Sequence, residues 1–441
     1  MKKIYIFLLG SLLLTTACST DLDQAPPNLA SSDSLTDFEG VLNAAYFYQL
    51  GAVTPMAVMG EFRADNAFMF EAPYTEFDLF TQNLTTMEDQ FFGPLYTALY
   101  KSILSANNVI ENSSNATQVG EARFLRALAY FKLVLAFGDV TVNLDASPSL
   151  TDTSILVRQA AADVYNNVII PDLNEAISAL GTVIEGGRAS RYAAQGLLGK
   201  VYMHMNNTQA AETNLAAVVN GAGAAGISLE SNYADVFGAA NEGNSEIIYS
   251  TQIQSSIVDE YSFASRFWNW FVGDDSKSDY PVDQDLVAAF NASGAADTRR
   301  AVTLHADGRT AIKFPKDGGL GSEHDWIELR LADVILLYAE ALNENGSTSA
   351  ALIQLNRIRS RAGLADSSAT SQADVRQAIQ DERRLELAFE GHRWFDLVRT
   401  NTVDAAFGLS AGTIGTNYHV FPIPTSEVRS TNGVITQNPG Y

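Results

Sequence analysis

The chain contains a single cysteine, Cys18, so no disulfide closes within one molecule and no thiolate cage for a metal can be assembled. Histidine is nearly as sparse. His204, His305, His324, His392 and His419 are scattered, with no HExxH or other metal-ligand spacing, which leaves nucleophilic triads and zinc chemistry without support. No GxxxxGK[ST] loop exists to cradle phosphate. Positive charge is short as well: 28 Lys plus Arg face 51 Asp plus Glu, a formal net charge of -23. Such a balance opposes nucleic-acid binding and favours a neutral ligand over a polyanion. Long apolar runs are missing after the first eighteen residues, so the remainder holds no stretch that would cross a bilayer as a helix. One catalytic class stays open, because any two of the 51 acids could form the carboxylate pair of a glycoside hydrolase.

What is present begins with a leader. Lys2 and Lys3 precede the apolar run Ile4 to Leu14, and Thr15-Thr16-Ala17 lead into Cys18. This order reads as a lipoprotein signal over 1–17, cleaved before a cysteine that is then acylated. A tether over 18–33 follows, with Pro26 and Pro27 and the acidic start Ser19 to Asp23. An ordinary secretory signal with an incidental cysteine is the alternative.

Hydrophobic residues make up 46% of the chain, ample for a large core, and most recur at helical spacing. Helices are expected from near Ser34 to Gly51, over Gly93 to Asn112, Val119 to Gly138, Ile155 to Leu180 with a break near Pro171, Ser190 to Met205 and Gln209 to Asn220. Three more lie between Asp325 and Thr400. Leu331, Val334, Ile335, Tyr338, Ala341 and Leu342 define the first, stopped by Gly346. Leu352, Leu355 and Ile358 define the second, closed by Gly363. The third has Ser371 and Asp374 as a capping pair, with Asp381 to Arg384 and Arg383 to Glu386 spaced for ion pairs. Paired helices joined by glycine turns suggest tetratricopeptide-like repeats, degenerate because the repeat's Trp-Leu-Gly-Tyr pattern is absent.

The helical rhythm fails twice. Met56 to Met87 is rich in aromatics and amides and reads as an irregular loop, with Asp65, Asn66 and Tyr74 as candidate ligand contacts or simply as packing. Between Gly221 and Ser322 a strand-like Glu246 to Ile253 leads into Tyr261 to Asp283. There Phe267, Trp268, Trp270 and Phe271 crowd together just before Gly273-Asp274-Asp275. A sugar ring offers a flat apolar face and a polar rim, so an aromatic platform beside carboxylates suits it. In an extended chain Trp268 and Trp270 would share one side. Tyr261 and Asp274 complete this candidate site, and a hydrophobic plug beneath the loop is the alternative. Asp274, Asp275 and Asp279 lack the glycine and spacing of an EF-hand and read as a solvated turn rather than a calcium site, so no metal and no cofactor is expected.

Four separated runs also resemble one family in the same order: GEARFLRALAYFKLVLAFGDV (Gly120 to Val140), GRASRYAAQGLLGKVYMH (Gly187 to His204), DERRLELAFEGHRWFDLVRT (Asp381 to Thr400) and PIPTSEVRSTNGVITQNPGY (Pro422 to Tyr441). Together they are similar to the SusD/RagB family of outer-membrane glycan-binding lipoproteins. The resemblance implies a mainly α, SusD-like fold: one domain over 34–441, with a helical scaffold over approximately 34–220 and 325–400, a loop-rich ligand-binding part over approximately 221–324 and a C-terminal segment over 401–441. It further implies a non-enzymatic, surface-facing protein, anchored in the outer membrane, that captures an oligosaccharide or polysaccharide and passes it to a TonB-dependent transporter of the SusC type. The acidic balance and the tryptophan pair point to a neutral glucan, with a β-linked one among the candidates. A surface glycosidase and a binder of peptide or protein are the alternatives. Within the late signature, Glu390, Arg393, Trp394 and Asp396 read as fold-holding, with Arg393 bridging carboxylates of the preceding helix. Arg188, Arg191 and Lys200 read as scaffold charges.

Overall fold

A computed structural model describes residues 36–149, 151–184, 187–254, 261, 267–272, 281–314 and 324–441. Cys18, the leader, the tether and Asp274 lie outside these residues. The longer helices are α1 (Phe38–Tyr48), α2 (Leu50–Phe62), α3 (Gly93–Asn112), α4 (Ala116–Phe137), α5 (Ile170–Ala179), α6 (Arg191–His204), α7 (Thr208–Gly221), α8 (Gln284–Ser293), α9 (Leu331–Glu344), α10 (Thr348–Arg361), α11 (Gln372–Glu386) and α12 (Arg393–Arg399). Each scaffold helix packs on its successor: α3 on α4, α4 on α5, α5 on α6, α6 on α7, α7 on α9, and α9 on both α10 and α11. The fold is mainly α. Its pairs follow from local signals, since the Ser190 hydroxyl accepts from Ala193 N at the start of α6 and the Ser371 hydroxyl accepts from Asp374 N at the start of α11.

Among the described residues two antiparallel ribbons complete the architecture. In one, β1 (Val140–Thr141) pairs with β2 (Arg158–Gln159); in the other, β3 (Ile247–Thr251) pairs with β4 (Trp326–Arg330), with Tyr249 opposite Leu329 and Thr251 opposite Trp326. The second ribbon stitches the loop-rich part to the scaffold, because both of its strands contact α6.

Two expectations are corrected here. Met56 to Phe62, expected at the start of an irregular loop, belong to the helix α2, although Pro55 lies inside it, and Gly51 to Phe62 are all buried. A helix enclosed on every side shows no amphipathic period, which is why the pattern looked irregular. Trp326 to Arg330 is a strand feeding α9, which starts at Leu331, the first residue of the expected apolar spacing. The ion pairs within α11 do not form: Arg384 turns to Asp65, Arg383 to Asp333 and Asp396, and Glu386 to Arg299, Arg330 and Arg361. A buried guanidinium needs more than one surface helix neighbour offers, and distant carboxylates supply it. Near Pro171 the expected irregularity is a π turn, Tyr165–Ile169, running into α5.

Candidate functional site

An open groove of about 570 Å³ runs between α1, the end of β3 and the turn before α6. Tyr46, Phe47 and Leu50 form one wall, and Ser250, Gln252 and Gln254 the other. A recess of about 230 Å³ continues it, sharing Gly187, Arg188, Glu242 and Asp325. Hydroxyl, amide, carboxylate and guanidinium groups thus stand beside half-buried aromatic rings.

Long-range contacts hold these groups in place. Arg188 Nη1 donates to Asn43 Oδ1 (2.7 Å) and Nη2 to Glu39 Oε1 (2.7 Å), Nε lies 2.8 Å from Glu121 Oε2, and the guanidinium sits 4.9 Å from the centre of the Tyr46 ring. Burial works against the Arg188 charge, but Glu121, Tyr46 and Glu39 outweigh it and raise its pKa. Burial likewise raises the Glu121 carboxyl. On the opposite side Asp325 accepts from Ser250 Oγ (3.2 Å) and Ile253 N (2.8 Å), while its own backbone N–H donates to Glu242 Oε1 (3.2 Å). Its pKa is raised by burial, so this carboxylate is held by donors rather than by a cation. Gly187 adopts φ +74°, and a Cβ there would lie 2.5 Å from the Gln252 side chain; glycine therefore keeps the groove floor open.

The aromatic run sits elsewhere. Phe267, Trp268, Trp270 and Phe271 are 0%, 2%, 7% and 1% exposed, so an open platform is not what they form. Nor is the segment extended, since Asn269–Val272 is a single helical turn that splays its neighbours. Trp270 packs on Tyr74 (5.5 Å) and Phe91 (5.3 Å), Phe271 stacks on Phe62 (5.5 Å, 10°), and Phe267 meets Trp326 edge-on (5.1 Å). These rings plug the loop-rich half onto α2, an arrangement in which their apolar area does more by leaving water than by waiting for a ligand. Tyr261 comes nearest to the groove. Its ring backs Phe47 (5.2 Å) and Tyr48 (6.1 Å), in a space left by Gly51, where a Cβ would approach the ring to 2.7 Å.

Asp65, Asn66 and Tyr74 are also buried. Asp65 receives Arg393 Nε (2.7 Å) and Nη2 (2.8 Å), and Asn66 Oδ1 accepts from Arg384 Nε (3.0 Å) while its amide donates to Glu61 Oε2 (2.9 Å). Tyr74 donates to Gln90 Oε1 (2.8 Å). Arg393 therefore bridges to the residues after α2 rather than to the preceding helix. Trp394 is fully buried, Lys200 pairs with Asp333 (3.0 Å), and Arg188 is ion-paired as expected of a scaffold charge. Among the described residues no cluster of three or more His, Cys, Asp or Glu side chains is disposed to hold a metal ion. Sequence reasoning missed Asn43, Phe47, Gln252 and Asp325 as groove residues; only the spread of Asn and Gln near Tyr and Phe hinted at them.

Fold and groove together define a helical-pair scaffold carrying an open polar and aromatic recess. A family model described as "SusD family" matches residues 197–418, and a second, described as "Starch-binding associating with outer membrane", matches 22–203. The chain belongs to the SusD family. It is 25% identical to SusD-like protein P2 of Formosa agariphila, with all of both chains covered, and 27% identical to a SusD-like protein of Bacteroides ovatus, over 90% of this chain and 82% of that one. Among solved structures it resembles a laminarin binding SusD-like protein (TM-score 0.75, 25% identity, 92% of this chain and 99% of that one) and a SusD superfamily protein from Parabacteroides distasonis (TM-score 0.76, 22% identity, 94% and 100%).

Proposed function

We propose that the protein captures a glycan at the outer surface of the outer membrane and delivers it, unaltered, to a TonB-dependent transporter of the SusC type. Lipidation of Cys18 would tether it there. The groove carries this reading. At about 570 Å³ it has room for several sugar rings, and it sets half-buried rings beside amides, hydroxyls and carboxylates, the two kinds of surface a pyranose presents. The ligand we favour is a neutral β-glucan. The net charge of -23 disfavours a polyanionic chain, and the similarity to a laminarin-binding protein supports a β-linked glucose polymer.

The test is native affinity electrophoresis and calorimetry of the protein lacking residues 1–18, against laminarin, starch and acidic polysaccharides, with Phe47→Ala and Gln252→Ala alongside. Laminarin binding that both variants weaken by about tenfold or more, with no product released, supports the reading. Release of shorter sugars would move it to glycoside hydrolysis, and absence of binding to every glycan would overturn it in favour of a peptide or protein ligand.

A further inference from the structure

The groove and the recess are continuous, and one run of chain borders both. Ile248 lines the recess alone, Ser250 and Gln252 line both spaces, and Gln254 lines the groove alone. β3 and the residues that follow it therefore lead from one space into the other. Away from this shared stretch the two differ. The groove is walled by Tyr46, Phe47 and Leu50 of α1, whereas the recess is walled by Ile184, Gly243 and Ile247. Ile184 is half-buried, and among the described residues a Cβ on Gly243 would meet no atom within 4 Å, so this side of the recess keeps free space.

Gln252 lies across the junction. A Cβ on Gly187 would sit 2.5 Å from its Cγ and Cδ and 2.9 Å from its Oε1, so the side chain rests directly on glycine backbone. Gln252 is exposed, and among the described residues its amide has no hydrogen-bond partner in the protein. An unpaired donor and acceptor thus stand where the two spaces meet. The charged groups beside them are already held. Arg188 spends Nε, Nη1 and Nη2 on Glu121, Asn43 and Glu39, and Asp325 accepts from Ser250 and Ile253. The junction therefore suits the hydroxyls of a neutral chain.

We propose that groove and recess form a single track for a glycan of several units, with Gln252 resting on Gly187 as the sill between its two halves. The inference rests on the reading of the groove as a glycan site and adds that chain length is selected here. A short oligosaccharide fills the groove beside Phe47. A longer one crosses the sill, bonds to the Gln252 amide and places its last rings in the recess, so its affinity gains the contacts of both halves. Glycine at 187 is then a specificity determinant, because a Cβ would lift Gln252 off the backbone and into the track.

The protein without residues 1–18 would be titrated by calorimetry with laminari- and malto-oligosaccharides of two and six units, alongside Gly187→Ala and Ile184→Trp. In one series the hexasaccharide should bind about tenfold or more tighter than the disaccharide. Gly187→Ala raises the sill and Ile184→Trp fills the recess from its far side, so in both variants that ratio should fall towards one. Equal affinity for the two lengths would overturn the track. So would a ratio that Ile184→Trp leaves unmoved, whatever Gly187→Ala does, since a Cβ at φ +74° also strains its own turn. Absence of binding to every oligosaccharide would defeat the glycan reading itself, and this inference with it.

Discussion

Gly60 and Gly391 touch backbone to backbone: a Cβ on Gly60 would sit 2.2 Å from the Gly391 carbonyl oxygen. The contact locks α2 against the turn between α11 and α12, and Glu61 reinforces it by accepting from Gly391 N (2.8 Å) and His392 N (3.2 Å). Backbone cannot swing aside as a flexible side chain does. Gly60→Ala should therefore cost about 1–3 kcal/mol or more, seen as a lower denaturant midpoint with an unchanged slope. An unaltered midpoint would mean that the two segments are not held this closely.

Arg330 carries a second prediction. It is 1% exposed and binds Glu246, Glu386 and Glu390 at 2.7 Å each, while Lys313 adds a bond to Glu390 and Arg361 pairs with Glu246 and Glu386. Arg330→Met would leave three buried carboxylates short of a cation and should cost about 3–5 kcal/mol by chemical denaturation. A loss below about 1 kcal/mol would show that water reaches the network.

The same network sets the acid limit. Burial alone would raise Glu390, but Arg330 and Lys313 outweigh it and bring its pKa down to about 2; Glu386 and Asp396 are held low by their arginines in the same sense. A carboxylate depressed in the folded state stabilises it above the unfolded value, so stability should fall as pH drops from about 4.5 towards 2. Glu61 works oppositely: burial lifts it to about 7, so its contribution, full below about 4.5, is lost as pH rises through 7. Denaturation midpoints from pH 2 to 8 should show a steep acid limb and a gentler decline between about pH 4.5 and 7 that levels off above it, and a flat acid limb would contradict the depressed carboxylates.

Trp268→Ala and Trp270→Ala should each lower stability by about 3–5 kcal/mol, read as a reduced melting temperature, while the fraction that stays folded retains its glycan affinity. Phe47→Ala should do the converse, weakening affinity with melting little changed, because its ring is only half-buried on the groove wall. Tryptophan variants that melt normally but lose binding would return the aromatic run to the ligand.

Much of the scaffold was legible in the chain. Apolar spacing, the Ser371 and Asp374 cap, and Gly346 and Gly363 at φ +85° and +80° placed α9 to α11 because each signal acts within a turn or two of helix. The four signature runs pointed to the SusD fold. Helix α2 was illegible because enclosure removes the period that marks a helix, and Gly51 and Gly60 serve close contacts that no local pattern announces.

The sequence by itself determined most of the scaffold helices, α2 apart, with their order and their stops, since these depend on neighbours a few residues away. Only the tertiary structure decided that Trp268 and Trp270 face inward, that Arg188 reaches Glu39 across the chain, and that Arg384 and Arg393 meet on Asp65. The physical reason is common to all three. An aromatic ring or a guanidinium has no preference for one distant partner until packing brings that partner within contact and removes the competing water.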